Sequence, residues 1–280
     1  MAFVRILFLG VVAAAASCAY TAGARAAFER QSEGIRSCAM GGSGVAWSGN
    51  VWGGLMNPAG LAGVPGPVIA VVESPAPFGL RELRRTACAA AWPVDRLTGA
   101  LTLVRYGFEL YREITIGAAC GVDCGRGVRV GGGVTLNNLS IAGYGSGSCA
   151  GIDAGVTWEI AGALEAGASA SNLNAPRPGR ERETVPRTFQ AGIAYAPPGG
   201  FLLACDIVED VRFPADVRLG GEWNPAPFLS LRAGISTDPS VYSAGIAVRL
   251  APVEVEYSFS RHQELGFTNR FGLSLRLGGL

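Results

Sequence analysis

The sequence predicts an all-β protein: a transmembrane, antiparallel, up-and-down β-barrel of about fourteen strands, preceded by a short plug. Three observations carry this. From residue 67 to 280 the chain reads as one hairpin after another with period-two alternation. After residue 30 no stretch of ~20 residues is apolar without Gly, Pro or charge, so no segment qualifies as a transmembrane helix. The composition, with 41 Gly, 16% charged residues and a positive mean hydropathy, is unusual for a soluble globule and ordinary for a membrane barrel.

Residues 1–26 read as a signal peptide directing export to the outer membrane. Arg5 precedes the apolar run from Ile6 to Ala16, and small residues follow at Ser17, Ala19, Ala24 and Ala26, which places cleavage near Ala19 or Ala26. Cys18 after Ala-Ala-Ser is a weak lipoprotein signal without the usual upstream Leu. Residues 27–66 show neither strand alternation nor a helical stripe. They are rich in Gly and carry Trp47, Trp52 and the run Asn57-Pro58-Ala59-Gly60-Leu61, an apolar content that favours a packed plug over a free tail. Pro58 fixes its own backbone and biases Asn57 away from the helical region, so this motif is expected to set a rigid bend that holds the plug.

Strands are expected near 67–74, 84–93, 97–107, 112–122, 127–142, 148–159, 162–172, 186–196, 201–209, 214–223, 228–236, 241–250, 253–261 and 267–277, with boundaries loose enough to leave twelve to fourteen. The connections alternate. Tight turns fall at Val94 to Arg96, Asp123 to Arg126, Ile160-Ala161, Pro197 to Gly200, Asn224 to Pro227 and Ala251-Pro252, and longer loops lie between them, the pattern of short periplasmic turns and longer external loops. The last strands place Phe267, Phe271, Leu273, Leu275 and Val253, Val255, Tyr257 on one face, facing lipid. The opposite face carries Thr268, Arg270, Gly272, Ser274, Arg276 and Glu254, Glu256, Ser258, lining a polar lumen.

Further charges expected to face inward are Arg129, Asp153, Glu159, Glu165, Asp206, Arg218, Glu222, Arg232 and Arg249. A turn at Ala251-Pro252 sets Arg249 opposite Glu254, and one centred on Gln263 sets Glu256 opposite Arg270, two lumen ion pairs. Structural pairing is favoured over a selective ion path.

Composition also excludes classes of function. A formal net charge of +1 speaks against nucleic acid, and Arg81, Arg84 and Arg85 read as a solvated loop. No catalytic constellation, cofactor motif or metal site emerges. The single histidine, His262, sits in a surface turn, and Gly125-Arg126-Gly127 and Gly131-Gly132-Gly133 lack the phosphate-loop order. Cys120 and Cys124 are spaced too far apart for a CxxC motif, with no histidine nearby. Of the six cysteines beyond the leader, Cys88, Cys120 and Cys205 alternate on apolar faces as small hydrophobes. Bridges Cys120 to Cys124 or Cys124 to Cys149 stay open, with free thiols favoured.

The run from Gly34 to Gly42 leading to Asn57-Pro58-Ala59-Gly60-Leu61 resembles the amino-terminal hatch of FadL-like barrels. Val185 to Tyr195, Leu219 to Trp223, Leu231 to Gly234, Glu256 to Phe259 and Leu265 to Arg270 resemble the PorV/PorQ branch. The resemblance implies a fourteen-stranded outer-membrane barrel with a plug. In the PorV branch such a barrel serves type IX secretion, with secretion components and exported cargo as partners. In the FadL branch it admits hydrophobic small molecules. A sealed structural barrel is the third reading. The chain departs from both branches in the brevity of its outer loops.

Overall fold

Within hydrocarbon, a strand has no water to satisfy its N–H and C=O groups, so alternating segments are stable there only when every edge is paired. That condition is met here. A computed structural model describes residues 27–28, 32–178, 184–210 and 214–277; the expected signal peptide and Cys18 lie outside the described residues. The strands are β1 Val68–Ser74, β2 Arg85–Val94, β3 Leu97–Gly107, β4 Tyr111–Asp123, β5 Val128–Ile141, β6 Gly145–Ala161, β7 Leu164–Ser171, β8 Thr188–Tyr195, β9 Phe201–Asp210, β10 Asp216–Ala226, β11 Leu229–Thr237, β12 Ser240–Leu250, β13 Val253–His262 and β14 Gly266–Arg276. Each pairs antiparallel with its sequence neighbours, and β1 pairs with β14, Val72 opposite Gly272, to close a fourteen-strand barrel.

Two tight turns differ from expectation. The β6–β7 turn is Gly162-Ala163 rather than Ile160-Ala161, because Gly162 supplies the positive φ of 44° there. Between β10 and β11 the ladder shifts at Asn224-Pro225, where Pro225 has no N–H to donate, and the reversal moves on to Pro227-Phe228. Arg85 is also not part of a solvated loop: it opens β2 with its side chain inside the barrel.

The outer surface is apolar, as the alternation predicts. Leu101 is 64% exposed, and Leu203, Ile207, Val255 and Leu273 are each more than half exposed. Trp92, Tyr195, Phe201, Trp223 and Phe228 ring the short-turn end, with Phe201 stacked on Trp223 at 5.9 Å. Phe108, Tyr242 and Phe267 belong to the long-loop end, where Phe259 stacks on Phe267 at 5.2 Å. Two aromatic belts around an apolar band are how a barrel meets the two borders of a bilayer.

The inner surface corrects the picture of a uniformly polar lumen. Inward residues of β1–β3, among them Ala70, Val72, Ala87, Ala89, Ala91, Ala100 and Val104, form one apolar core with Ile35, Trp52, Leu55 and Leu61. A second joins Met40, Val45, Ala46 and Trp47 to Ala194, Leu202 and Ala204. The segment before β1 thus occupies the barrel interior.

Two measurements check this architecture. Detergent-extracted protein is expected to give a β-type circular dichroism spectrum and a gel mobility that changes on boiling. Leu103→Arg, at mid-height on the lipid face, should destabilise the membrane-folded state by about 2–4 kcal/mol, against about 0–1 for Val94→Arg at the border. Equal losses in urea unfolding from lipid vesicles would place the band wrongly.

Candidate functional site

The interior segment is held in shape by its own polar residues. A short helix, α1 (Ile35–Ala39), is followed by two 3-10 turns, Val51–Leu55 and Pro58–Gly63. Both turns begin on an asparagine: Asn50 accepts from the Trp52 N–H at 3.0 Å and Asn57 from the Ala59 N–H at 3.1 Å, the usual way of satisfying a free donor at a helical start. Pro58 stands at the first position, where its missing N–H costs nothing. Asn57 also donates through Nδ2 to the Val45 carbonyl at 2.6 Å and to the Val156 carbonyl of β6 at 3.2 Å. One buried side chain therefore joins two parts of the segment to the wall.

The wall is moulded to the segment by glycine. A Cβ on Gly155 would overlap Asn57, on Gly131 Pro58, on Gly167 Val45, on Gly234 Met40 and on Gly272 Ile35. These glycines permit close backbone approach and make the lumen complementary to this occupant.

Charged anchors complete the attachment. Arg36 of α1 donates to Glu222 of β10 through Nε at 2.8 Å and Nη2 at 2.7 Å, and its guanidinium lies 4.9 Å from the Trp47 ring centroid. Glu33 binds Arg85 of β2 through Nε and Nη2. Asp206 of β9 accepts from the N–H groups of Gly44 at 2.6 Å and Val45 at 2.9 Å. Ser243 of β12 accepts from the Gly41 N–H at 2.9 Å and donates to the Ala39 carbonyl at 3.0 Å. Arg36 and Glu33 were not singled out from sequence, although charged residues in so apolar a stretch were a visible signal. Burial pushes the Cys38 thiol of α1 up, and its Sγ donates to the Ser32 carbonyl at 2.9 Å.

From Glu222 a ladder of charges continues along the wall. Arg232 of β11 donates to Glu222 at 2.7 Å and to Glu256 of β13 at 2.5 Å. Arg249 lies opposite Glu254 in the β12–β13 register and donates to it at 3.2 Å, and Arg276 donates to the same carboxylate at 3.2 Å. The expected Glu256–Arg270 pair does not form. The last turn is Gln263 to Leu265, centred on Glu264, so Arg270 faces Ser258 and Glu256 faces Gly272. Arg270 instead donates to Ser260 Oγ at 3.0 Å and has no ion pair among the described residues.

Among the described residues, three of the cavities beside the segment share no lining residue. The largest, about 310 Å³, opens at the short-turn end beside Arg36, Trp52, Glu222, Arg232, Arg249 and Glu254. One of about 180 Å³ lies at the long-loop end under Phe78, beside Arg218, His262 and Arg270. The third, about 40 Å³, touches Phe28, Leu55, Val104 and Val185. α1 stands between the first two, with Ile35 and Met40 fully buried. Among the described residues no His, Cys, Asp and Glu group is placed to hold a metal, and the six described cysteines are free thiols. His262 ends β13 and lines the outer cavity rather than a surface turn.

No protein-family model and no curated protein sequence matches the chain. Solved structures do. The toluene transporter TbuX of Ralstonia pickettii superposes with a TM-score of 0.71 at 11% identity, over 90% of this chain and 100% of that one. The toluene transporter TodX of P. putida gives 0.66 at 13% identity, over 90% and 100%. A FadL homologue from Pseudomonas aeruginosa gives 0.62 at 11% identity, over 86% and 97%. At such identities the likeness is one of fold: the chain has the architecture of FadL-like outer-membrane barrels.

The ladder makes two energetic predictions. Arg232→Met leaves Glu256 without its ion-pair partner, while Glu222 keeps Arg36, and should cost about 3–5 kcal/mol. In double-mutant cycles, Arg232→Met with Glu256→Gln should couple by about 0.5–3 kcal/mol, whereas Arg270→Gln with Glu256→Gln should add to within about 0.5 kcal/mol. Denaturant unfolding of the two sets reads the register directly.

Proposed function

We propose that the chain is an outer-membrane uptake channel for hydrophobic small molecules, with residues 27–66 acting as the plug that restricts passage. The observation that carries this reading is the arrangement of the lumen: an apolar segment, covalently part of the chain, separates a cavity at the long-loop end from one at the short-turn end. With the short turns in the periplasm, as bacterial barrels are built, the 180 Å³ cavity faces outward and the 310 Å³ vestibule faces the periplasm. The solved structures it resembles include two described as toluene transporters, which supports a hydrophobic cargo.

Passage requires the plug to shift. A shift must loosen the two apolar cores that the plug shares with the wall and break a set of discrete polar contacts. These are Asn57 to Val156, Asp206 to Gly44 and Val45, and the two ion pairs of Glu33 and Arg36. None of these contacts is covalent, so a plug held by them can open and reclose.

A secretion barrel of the PorV kind is the second reading, resting on the sequence stretches that resemble that branch. It asks for an outer face on which an exported cargo can dock. Connections as short as 108–110, 142–144, 238–239 and 263–265 give a folded cargo domain little to hold, so uptake is preferred.

Deleting residues 28–62 is expected to leave a heat-modifiable barrel with raised single-channel conductance in planar bilayers. Proteoliposomes of the full chain should admit toluene faster than protein-free vesicles. Unchanged conductance of an assembled deletion variant argues against the plug. Co-purification of an exported cargo without toluene entry would reverse the preference between the two readings.

A further inference from the structure

Of the interior arginines along β10–β14, Arg218, Arg232, Arg249 and Arg276 all contact a carboxylate, and Arg270 contacts none among the described residues. Its guanidinium gives one hydrogen bond, to Ser260 Oγ at 3.0 Å, and lines the outer cavity with donors to spare. His262 lines the same space. Its Nδ1 accepts from the N–H groups of Glu264 at 3.1 Å and Leu265 at 3.2 Å, so Nε2 carries the proton and is a donor. The other charged pair in the lining is saturated. Asp216 accepts from Arg218 at 2.7 Å and from the N–H groups of Thr237 and Asp238, each at 3.0 Å. Among the described residues the recess thus holds one cation without a carboxylate partner and an excess of donors over free acceptors.

Its roof is apolar and specially placed. Phe78, in the loop between β1 and β2, packs edge-on to the His262 ring at 5.8 Å and donates its N–H to Thr268 Oγ1 at 3.3 Å. Its backbone is left-handed, at φ 56° and ψ 21°, a conformation rare for a bulky side chain and maintained only where surrounding contacts over-determine it. Pro239 and Val241 supply further apolar lining. At about 180 Å³ the space falls below the roughly 300 Å³ at which drug-sized sites begin, so it suits a head group with a short apolar part.

We propose that this recess is a binding site for a compact organic monocarboxylate, its carboxylate on Arg270 and His262 and its apolar part under Phe78. The planar guanidinium fork fits a carboxylate with two parallel bonds, which an ammonium cannot reproduce. The inference deepens the uptake reading by naming a charged head group at the outer entrance.

Benzoate is the probe, with toluene as its uncharged counterpart, titrated into the purified full chain in detergent by calorimetry. Benzoate is expected to bind and toluene to bind at least tenfold more weakly. Arg270→Gln should weaken benzoate at least tenfold, Arg270→Lys by a smaller factor, and Phe78→Ala should speed benzoate dissociation several-fold, each variant retaining the heat-modifiable mobility of the folded barrel. Absence of benzoate binding, equal binding of toluene, equal binding of inorganic phosphate, or undiminished binding by folded Arg270→Gln would overturn the site. If proteoliposomes transport toluene while benzoate does not bind, the site fails and uptake stands. If benzoate binds but no transport occurs, uptake fails and the site stands.

Discussion

Backbone hydrogen bonding in a medium without water is the constraint on which the rest of this molecule depends. Because no strand edge can be left open, β1 must reach β14, and a closed wall of fourteen strands encloses a space that its own small inward residues cannot fill. Filling that space with long wall side chains was one solution. The chain uses another: it keeps Ala, Gly, Ser and Thr on the inner face and brings Ile35, Met40, Trp47, Trp52, Leu55 and Leu61 from a separate segment. The hydrophobic effect therefore acts twice, once between wall and lipid and once between wall and interior segment, with opposite faces of the same strands.

That division gives different parts of the structure different permanence. Wall hydrogen bonds form a continuous ladder and have no competing solvent in the bilayer. The interior segment is attached by two apolar cores and by polar contacts at Asn57, Asp206, Ser243, Glu33 and Arg36. Local stability follows the density of buried apolar contacts and the exposure of polar ones.

Charge follows the same geometry. Along β10–β14 the inward carboxylates and guanidiniums meet in a ladder that begins on the interior segment at Arg36 and runs through Glu222, Arg232 and Glu256; Arg249, Glu254 and Arg276 form a second cluster beside it. Pairing keeps these buried charges tolerable in a confined lumen. One residue step in the last turn leaves Arg270 outside the ladder and beside His262 and Phe78. A small change of turn geometry thereby leaves Arg270 without a carboxylate partner among the described residues, at the long-loop end.

The period-two alternation of β14, with Phe271, Leu273 and Leu275 against Arg270, Gly272 and Ser274, determined by itself that such a segment is a strand and which face meets lipid, while the number of strands stayed between twelve and fourteen until the barrel closed. Those properties depend on residues a few positions apart. Turn chemistry was legible where one residue dominates, as at Ala251-Pro252, and misleading where Gly162 moved the reversal or where Gln263 to Leu265 made a three-residue turn instead of one centred on Gln263. Register across a hairpin amplifies such an error, since moving a turn's centre by one residue moves every facing pair by two. That is why Arg249 opposite Glu254 could be read and the partner of Glu256 could not. The path of residues 32–64 inside the barrel had no local period to reveal it. It was decided by tertiary complementarity, by glycines at 131, 155, 167, 234 and 272 that make room for a backbone far away in sequence, and by carboxylates such as Asp206 that find amide donors more than 150 positions earlier.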